Sequence, residues 1–307
     1  MNKNNKLNVR FASKEEGQQL ILGNTQYYNR LTQVDIDWRA RKADATLDEL
    51  IAFAQEQVSD FTESDMDVVM QCMSFIERQL DLLGCQLPVP DEIIFVKTNM
   101  KDESNASAYT TRNLIFLNES LLSRYNDPRR RRGPLTTLDL KILIAHELFH
   151  CVTRHSPEFR KKMYALIGFT IMDHDIEFPE HINRTLLSNP DVEHIDNYAE
   201  FTIDGVKRKC ALITTYNMPW AEASDQYGPA VRFFSHIDIS LVALDDLDHP
   251  FYYEEASDFW EKMGKNTDYV NAPEECLAVN FSYAIIFGMD YEYKTPKLIR
   301  SILSALK

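Results

Sequence analysis

Residues 146–150 read His-Glu-Leu-Phe-His. On an α-helix, residues four apart stand one above the other. His146 and His150 therefore present two imidazoles on one face, at the spacing that fills two corners of a tetrahedral zinc site. Glu147 projects beside them, poorly placed as a ligand but able to reach a water at the metal. The chemistry written into this spacing is metal-assisted addition of water to a carbonyl. Zinc lowers the pKa of the water and polarises the carbonyl, while Glu147 takes the proton as general base and delivers it to the leaving amine. From average His and Glu usage, a chance match in a chain of 307 residues arises roughly once in a hundred. The competing reading is a pair of satisfied core histidines. Leu143, Ile144, Ala145, Leu148 and Phe149 mark a helix that is to be buried, where a glutamate without a partner is expensive. That favours the metal.

A catalytic zinc usually takes a third protein ligand and leaves its fourth position to water. His155 does not qualify, because on a continuing helix it lies about 140° around from His150. Residues 267–285, TDYVNAPEECLAVNFSYAI, hold better candidates. Pro273 suits the first turn of a helix, which places Glu274 and Glu275 at its N-terminus. Either could reach a metal, and the helix dipole alone would favour both.

HELFH followed downstream by this segment resembles the zinc helices of the zincin metallopeptidases. The downstream segment resembles the second zinc helix of the gluzincin type, in particular of the branch related to the anthrax lethal factor protease. In that branch a tyrosine precedes N-P-x-E-x-x-A-E-x-F, and the first glutamate binds zinc. Pro273, Glu275, Ala278 and Phe281 match it. The resemblance thus implies one zinc ion held by His146, His150 and Glu275, with Tyr269 steadying the developing oxyanion and a peptide or protein as substrate. Tyr216 and His236, both in a strand-rich stretch, are the reserve oxyanion donors. Val279 stands where the branch has its second glutamate, and the Tyr-to-Glu spacing is one residue short. The metzincin continuation is absent, since Thr153 and Ser156 occupy its Gly and His positions. Glu275-Cys276-Leu277 echoes peptide deformylase superficially, with the order of segments reversed and the glycine missing.

These residues need a scaffold, and the resemblance implies an α+β, zincin-like one. Its parts would be a small mixed sheet with an edge strand over the histidine helix, a helical second lobe and a strand-rich insert. The pattern divides into an N-terminal helical segment, residues 1–85, and a catalytic domain, residues 86–307. The first forty residues look polar and irregular. From Thr46 to Gly84 apolar residues recur at helical spacing, with a capping box at Thr62–Asp65 and Gly84 as C-cap. Strands are expected at Glu92–Val96 and at Ala108–Leu117; the latter stands where zincins keep the edge strand that an extended peptide joins, an ordinary internal strand being the other reading. Arg129–Arg132 are expected in a solvated loop, with a docking or processing site as the alternative, and Thr136 or Thr137 is expected to cap the histidine helix. Another helix starts near Pro157. Residues 189–246 look strand-rich, with a hairpin turn at Asp204-Gly205 and a run at Val231–Leu244. Helical patterns return at Pro250–Met263, Pro273–Phe287 and Pro296–Leu306.

Bulk properties narrow the partners. A net charge of −14 and a pI near 5.0 disfavour nucleic acid and anionic membranes. No stretch has the uncharged length of a membrane span. The five cysteines include no CxxC pair and are odd in number, as expected of reduced thiols. With no apolar run near the N-terminus, a cytoplasmic location is the expectation. Two other readings remain open, a zincin-fold binding or regulatory module without turnover and a secreted effector protease. Oligomeric state is left open.

Overall fold

The computed structural model describes residues 6–126 and 136–307, the side chains of residues 136 and 137 aside. The arginine run Arg129–Arg132 and the capping side chains of Thr136 and Thr137 lie outside the described residues. The chain opens with strand β1 (Val9–Phe11) and helices α1 (Lys14–Leu22), α2 (Thr25–Tyr28), α3 (Gln33–Ala40) and α4 (Leu47–Glu56). Strand β2 (Val58–Ser59) leads to the long helix α5 (Glu63–Leu83), then β3 (Ile93–Thr98), β4 (Ala108–Thr111), β5 (Leu114–Asn118) and α6 (Glu119–Asn126). The histidine helix is α7 (Thr136–His155), followed by α8 (Pro157–Ala165), β6 (Phe169–Ile171) and α9 (Glu180–Asn183). Next come β7 (Asn197–Ile203), β8 (Val206–Tyr216), α10 (Trp220–Tyr227), β9 (Ile237–Ala243) and β10 (Asp246–Tyr252). Helices α11 (Phe259–Met263), α12 (Pro273–Phe287) and α13 (Pro296–Ala305) complete an α+β architecture.

The first sheet is mixed, in the order β1-β3-β5-β4, with β2 also pairing to β3. Strands β1, β3 and β5 run parallel, and β4 returns antiparallel on the edge. Successive side chains of a strand face opposite sides, and here both sides are covered. Ile93, Phe95, Ile115 and Leu117 face the main core with α5 and α7, whereas Ile94, Val96, Leu114 and Phe116 face α1 and α4. The second sheet is antiparallel, in the order β10-β9-β8-β7-β6. Its inner face, including Phe169, Phe201 and Leu241, joins the main core.

Several local signals hold. Thr62 and Asp65 form a capping box, and Gly84 ends α5 at φ 66°. Asp204 and Gly205 turn β7 into β8 with φ of 51° and 75°, the paired left-handed geometry of a tight hairpin. Other expectations change. Residues 6–40, expected to be irregular, carry three helices, two of them capped by Ser13 and Thr32. The boundary placed at residue 85 runs through one sheet and one core, since β1 and β2 both hydrogen-bond to β3. Ala108–Leu117 is a hairpin and not one strand. Arg112 takes φ 54° at its tip, and the edge role falls to β4 alone. Val231–Ser235 contains a short 3-10 turn ahead of β9. Residues 250–252 belong to β10, so the helix expected from Pro250 begins only at Phe259.

Beyond its first turn, helix α12 carries apolar side chains on every side, which suits a helix largely enclosed by protein. It packs along α7, with Phe281 on Phe149 at a centroid distance of 5.2 Å. Both rings are wholly buried. Among the described residues, no helix is long and apolar enough to cross a membrane. Phe281→Ala should therefore lower stability by about 3–5 kcal/mol, read as a shift in the urea midpoint at unchanged slope.

Candidate metal centre

The α7–α12 contact brings together two segments 129 residues apart. Ala272 is extended at ψ 154°, as a residue before proline prefers, and Pro273 starts α12 without needing a partner for an N–H. The first turn of α12 therefore points Glu274 and Glu275, with the free backbone N–H groups around them, at the histidine face of α7. Glu275 Oε2 lies 3.0 Å from His146 Nε2 and 3.6 Å from His150 Nε2, and the two imidazole nitrogens are 3.1 Å apart. Donor atoms placed about 2.0–2.1 Å from a tetrahedral zinc sit about 3.3 Å from one another. The observed triangle has that size. Nitrogen and carboxylate donors of this kind fit zinc and other divalent first-row metals.

Neighbouring residues orient these donors. Glu274 Oε1 meets His150 Nδ1 at 3.3 Å and accepts from Thr153 Oγ1 at 2.5 Å. A carboxylate behind the imidazole fixes the ring and leaves Nε2 facing the centre. Adjacent helical residues point about 100° apart, which separates the two glutamates into one at the donor triangle and one behind it. Asn189 Nδ2 donates to Glu275 Oε1 at 2.5 Å, leaving Oε2 to the histidines. Burial pushes the Glu275 carboxyl up, but the histidine hydrogen bonds and charges outweigh it and hold it well below its usual range.

Glu147 is 2% exposed, and its Oε2 has no partner among the described residues. Burial pushes its carboxyl well up, and the nearby Asp191 charge adds to this. Asp191 had no place in the expectations from sequence. Its carboxylate accepts from Thr110 N at 2.6 Å and Thr110 Oγ1 at 2.8 Å, and it comes within 4.8 Å of donor atoms of Glu147 and His150. Asn189-Pro190-Asp191 has the composition of a turn, and that is the one signal the sequence offers for it.

Residues 188–193 are held in place by the N-terminal helices. Arg39 is wholly buried and donates to Asp35 Oδ1 (2.7 Å), Glu103 Oε1 (3.0 Å) and Ser188 O (2.7 Å). Ser188 N donates back to Asp35 Oδ1 at 3.2 Å. Arg30 donates to the carbonyls of Val192 and Glu193 at 2.5 and 2.8 Å. With the hydroxyls of Tyr27 (2.7 Å) and Tyr216 (3.0 Å), two carboxylates and three neutral oxygens surround the Arg39 guanidinium, and loss of a buried partner of this kind is costly.

The other expected residues divide. Tyr269 lies next to His146, with ring centroids 6.5 Å apart, and lines the cleft with His146, Glu147, Asp191 and Glu275. That cleft encloses about 820 Å³. Tyr216 does not reach it, because its hydroxyl is committed to Asp35 and Arg39. His236 stacks on Trp38 at 5.6 Å, away from the donor triangle. His155 is exposed at the end of α7, and Val279 also lines the cleft. No protein-family model, no curated protein and no solved structure matches the chain.

Glu275→Ala should abolish stoichiometric zinc binding, as read by metal analysis after dialysis. Glu274→Gln should keep the stoichiometry while weakening affinity by about 10- to 100-fold. Arg39→Met should cost about 3–5 kcal/mol of stability in urea unfolding, by leaving Asp35 and Glu103 buried without their cation.

Proposed function

We propose that the chain is a zinc-dependent hydrolase of the gluzincin-like metallopeptidase kind, cleaving peptide bonds. The observation that carries this reading is the donor triangle of His146, His150 and Glu275 with the unpartnered carboxylate of Glu147 beside it. The mixed sheet, with its antiparallel edge strand β4 next to α7, is in keeping with a zincin-like scaffold. A zinc ion held by the three donors would supply Lewis acidity to a carbonyl and to water.

The remaining roles belong to this chain's own groups. Glu147, buried and raised in pKa, takes a proton from the attacking water and passes it to the departing amine. Glu274 and Thr153 hold the His150 ring, and Asn189 holds Glu275, so the donors need little rearrangement. The Tyr269 hydroxyl donates to the carbonyl oxygen as it gains charge. The cleft wall opposite α7 comes from the second sheet and its approach, including Phe233, Ile237 and Ile239. Side-chain selectivity falls there, in the stretch the sequence marks as strand-rich.

Glu147→Gln should keep one zinc per chain and lose hydrolysis of unstructured peptides. Tyr269→Phe should lower kcat by about 10²- to 10³-fold with little change in KM. Both are measured on a fluorogenic peptide mixture beside metal analysis of the same preparations. Peptidase activity surviving in Glu147→Gln would overturn the assignment of the base.

A further inference from the structure

The cleft does not run freely along the sheet edge. Asn118 N donates to Ser107 O at 3.1 Å, so residues 107, 109 and 111 turn their backbone groups toward β5. By the alternation of an antiparallel ladder, Ala108 and Thr110 turn theirs outward. Both outward groups of Thr110 are already taken. Its N–H donates to Asp191 Oδ1 at 2.6 Å, and its carbonyl accepts from Arg154 Nη2 at 3.2 Å. Arg154 Nη2 also donates to Pro190 O at 2.8 Å, fastening the 188–193 segment over the edge. The outward N–H and C=O of Ala108 have no partner among the described residues, and Ala108 lines the cleft. The edge is thus open for one residue and closed at the next.

What closes it is an anionic group. Asp191 caps the edge, lines the cleft and is 9% exposed. Its carboxylate and that of Glu147 lie within 4.8 Å of each other. Glu147 is itself buried with Oε2 unpartnered, and the nearby guanidinium of Arg154 donates to Thr110 and the Pro190 carbonyl and pairs with Glu193 at 3.2 Å, so its one positive charge is shared among three carboxylates. An anionic stop to a strand-binding groove repels a terminal carboxylate and attracts a terminal ammonium. An ammonium at the Thr110 end makes the bound peptide antiparallel to β4, with its second residue opposite Ala108.

We infer that Asp191 receives the free α-ammonium of the substrate, making the chain an aminopeptidase that removes one residue at a time. This rests on the metallopeptidase reading above and adds the class of substrate. Water adds to the first peptide carbonyl, the C–N bond breaks, and the first residue departs as a free amino acid. The shortened peptide leaves with a new amino terminus. Asp191 acts by binding and placing the chain end.

The test uses the zinc-loaded protein and paired peptides of one sequence, with the amino terminus free or acetylated. Products are identified by mass spectrometry, and binding to zinc-loaded Glu147→Gln is measured by calorimetry. The expected result is stepwise release of amino-terminal residues, with acetylation lowering kcat/KM by about a hundredfold. Asp191→Asn keeps an oxygen for Thr110 and should melt near the parent temperature. It should raise KM for the free peptide more than it lowers kcat, and bring binding of the two peptides level. Internal cleavage of the acetylated peptide at an equal rate, or release from the carboxyl end, overturns the inference and leaves the peptidase reading standing. Zinc uptake with binding of neither peptide overturns both.

Discussion

Glu147, Glu274 and Glu275 are all buried between α7 and α12, two helices that otherwise bury aromatic and aliphatic side chains. An ionised carboxylate taken out of water costs several kcal/mol unless something compensates it. The two imidazoles, the free N–H groups at the start of α12, Thr153 and Asn189 share that compensation unequally. Both oxygens of Glu275 are taken, by the histidines and an amide, and Glu274 Oε1 is taken by one histidine and a hydroxyl. Glu147 Oε2 and Glu274 Oε2 are left with no partner among the described residues. Glu274 and Glu275 are each anchored to a histidine, and this ties the first turn of α12 to α7.

The same pressure extends outward. Asp191 sits beside Glu147 and adds another buried charge, tolerable because Thr110 gives it two hydrogen bonds and Arg154 stands near. Its segment hangs on Arg30 and Arg39, which sit among the short helices at the start of the chain. Those helices therefore contribute to the site by fixing the loop that carries Asn189 and Asp191. The second sheet contributes differently, supplying a wall without touching the donors.

Much of the centre was legible because it follows from helical geometry. His146, Glu147 and His150 needed only the angle per residue, and Pro273 marked the start of the partner helix. Choosing between Glu274 and Glu275 was beyond spacing, because a helix N-terminus welcomes both; their split depends on how α12 is rotated against α7. Asn189 and Asp191 were invisible because their roles arise from contacts 86 and 81 residues distant. The hairpin at Arg112 was missed because a non-glycine residue occupies its left-handed turn. Pro250 suggested a helix start, yet it lies in β10, an edge strand where a missing N–H costs little. The early helices escaped notice because their caps are plain Ser and Thr residues in a polar context.

The dependence of residues 188–193 on distant partners also bears on how the molecule comes together. Asp35 meets Ser188 across 153 residues, Arg39 meets Tyr216 across 177, and His146 meets Glu275 across 129. Contacts of such separation repay the entropy of loop closure only after most of the chain has condensed. The helices of the core can form from nearer neighbours, but the cleft belongs to the last stage of folding. A nascent or partly folded chain would thus carry the two histidines long before it carried the assembled donor triangle.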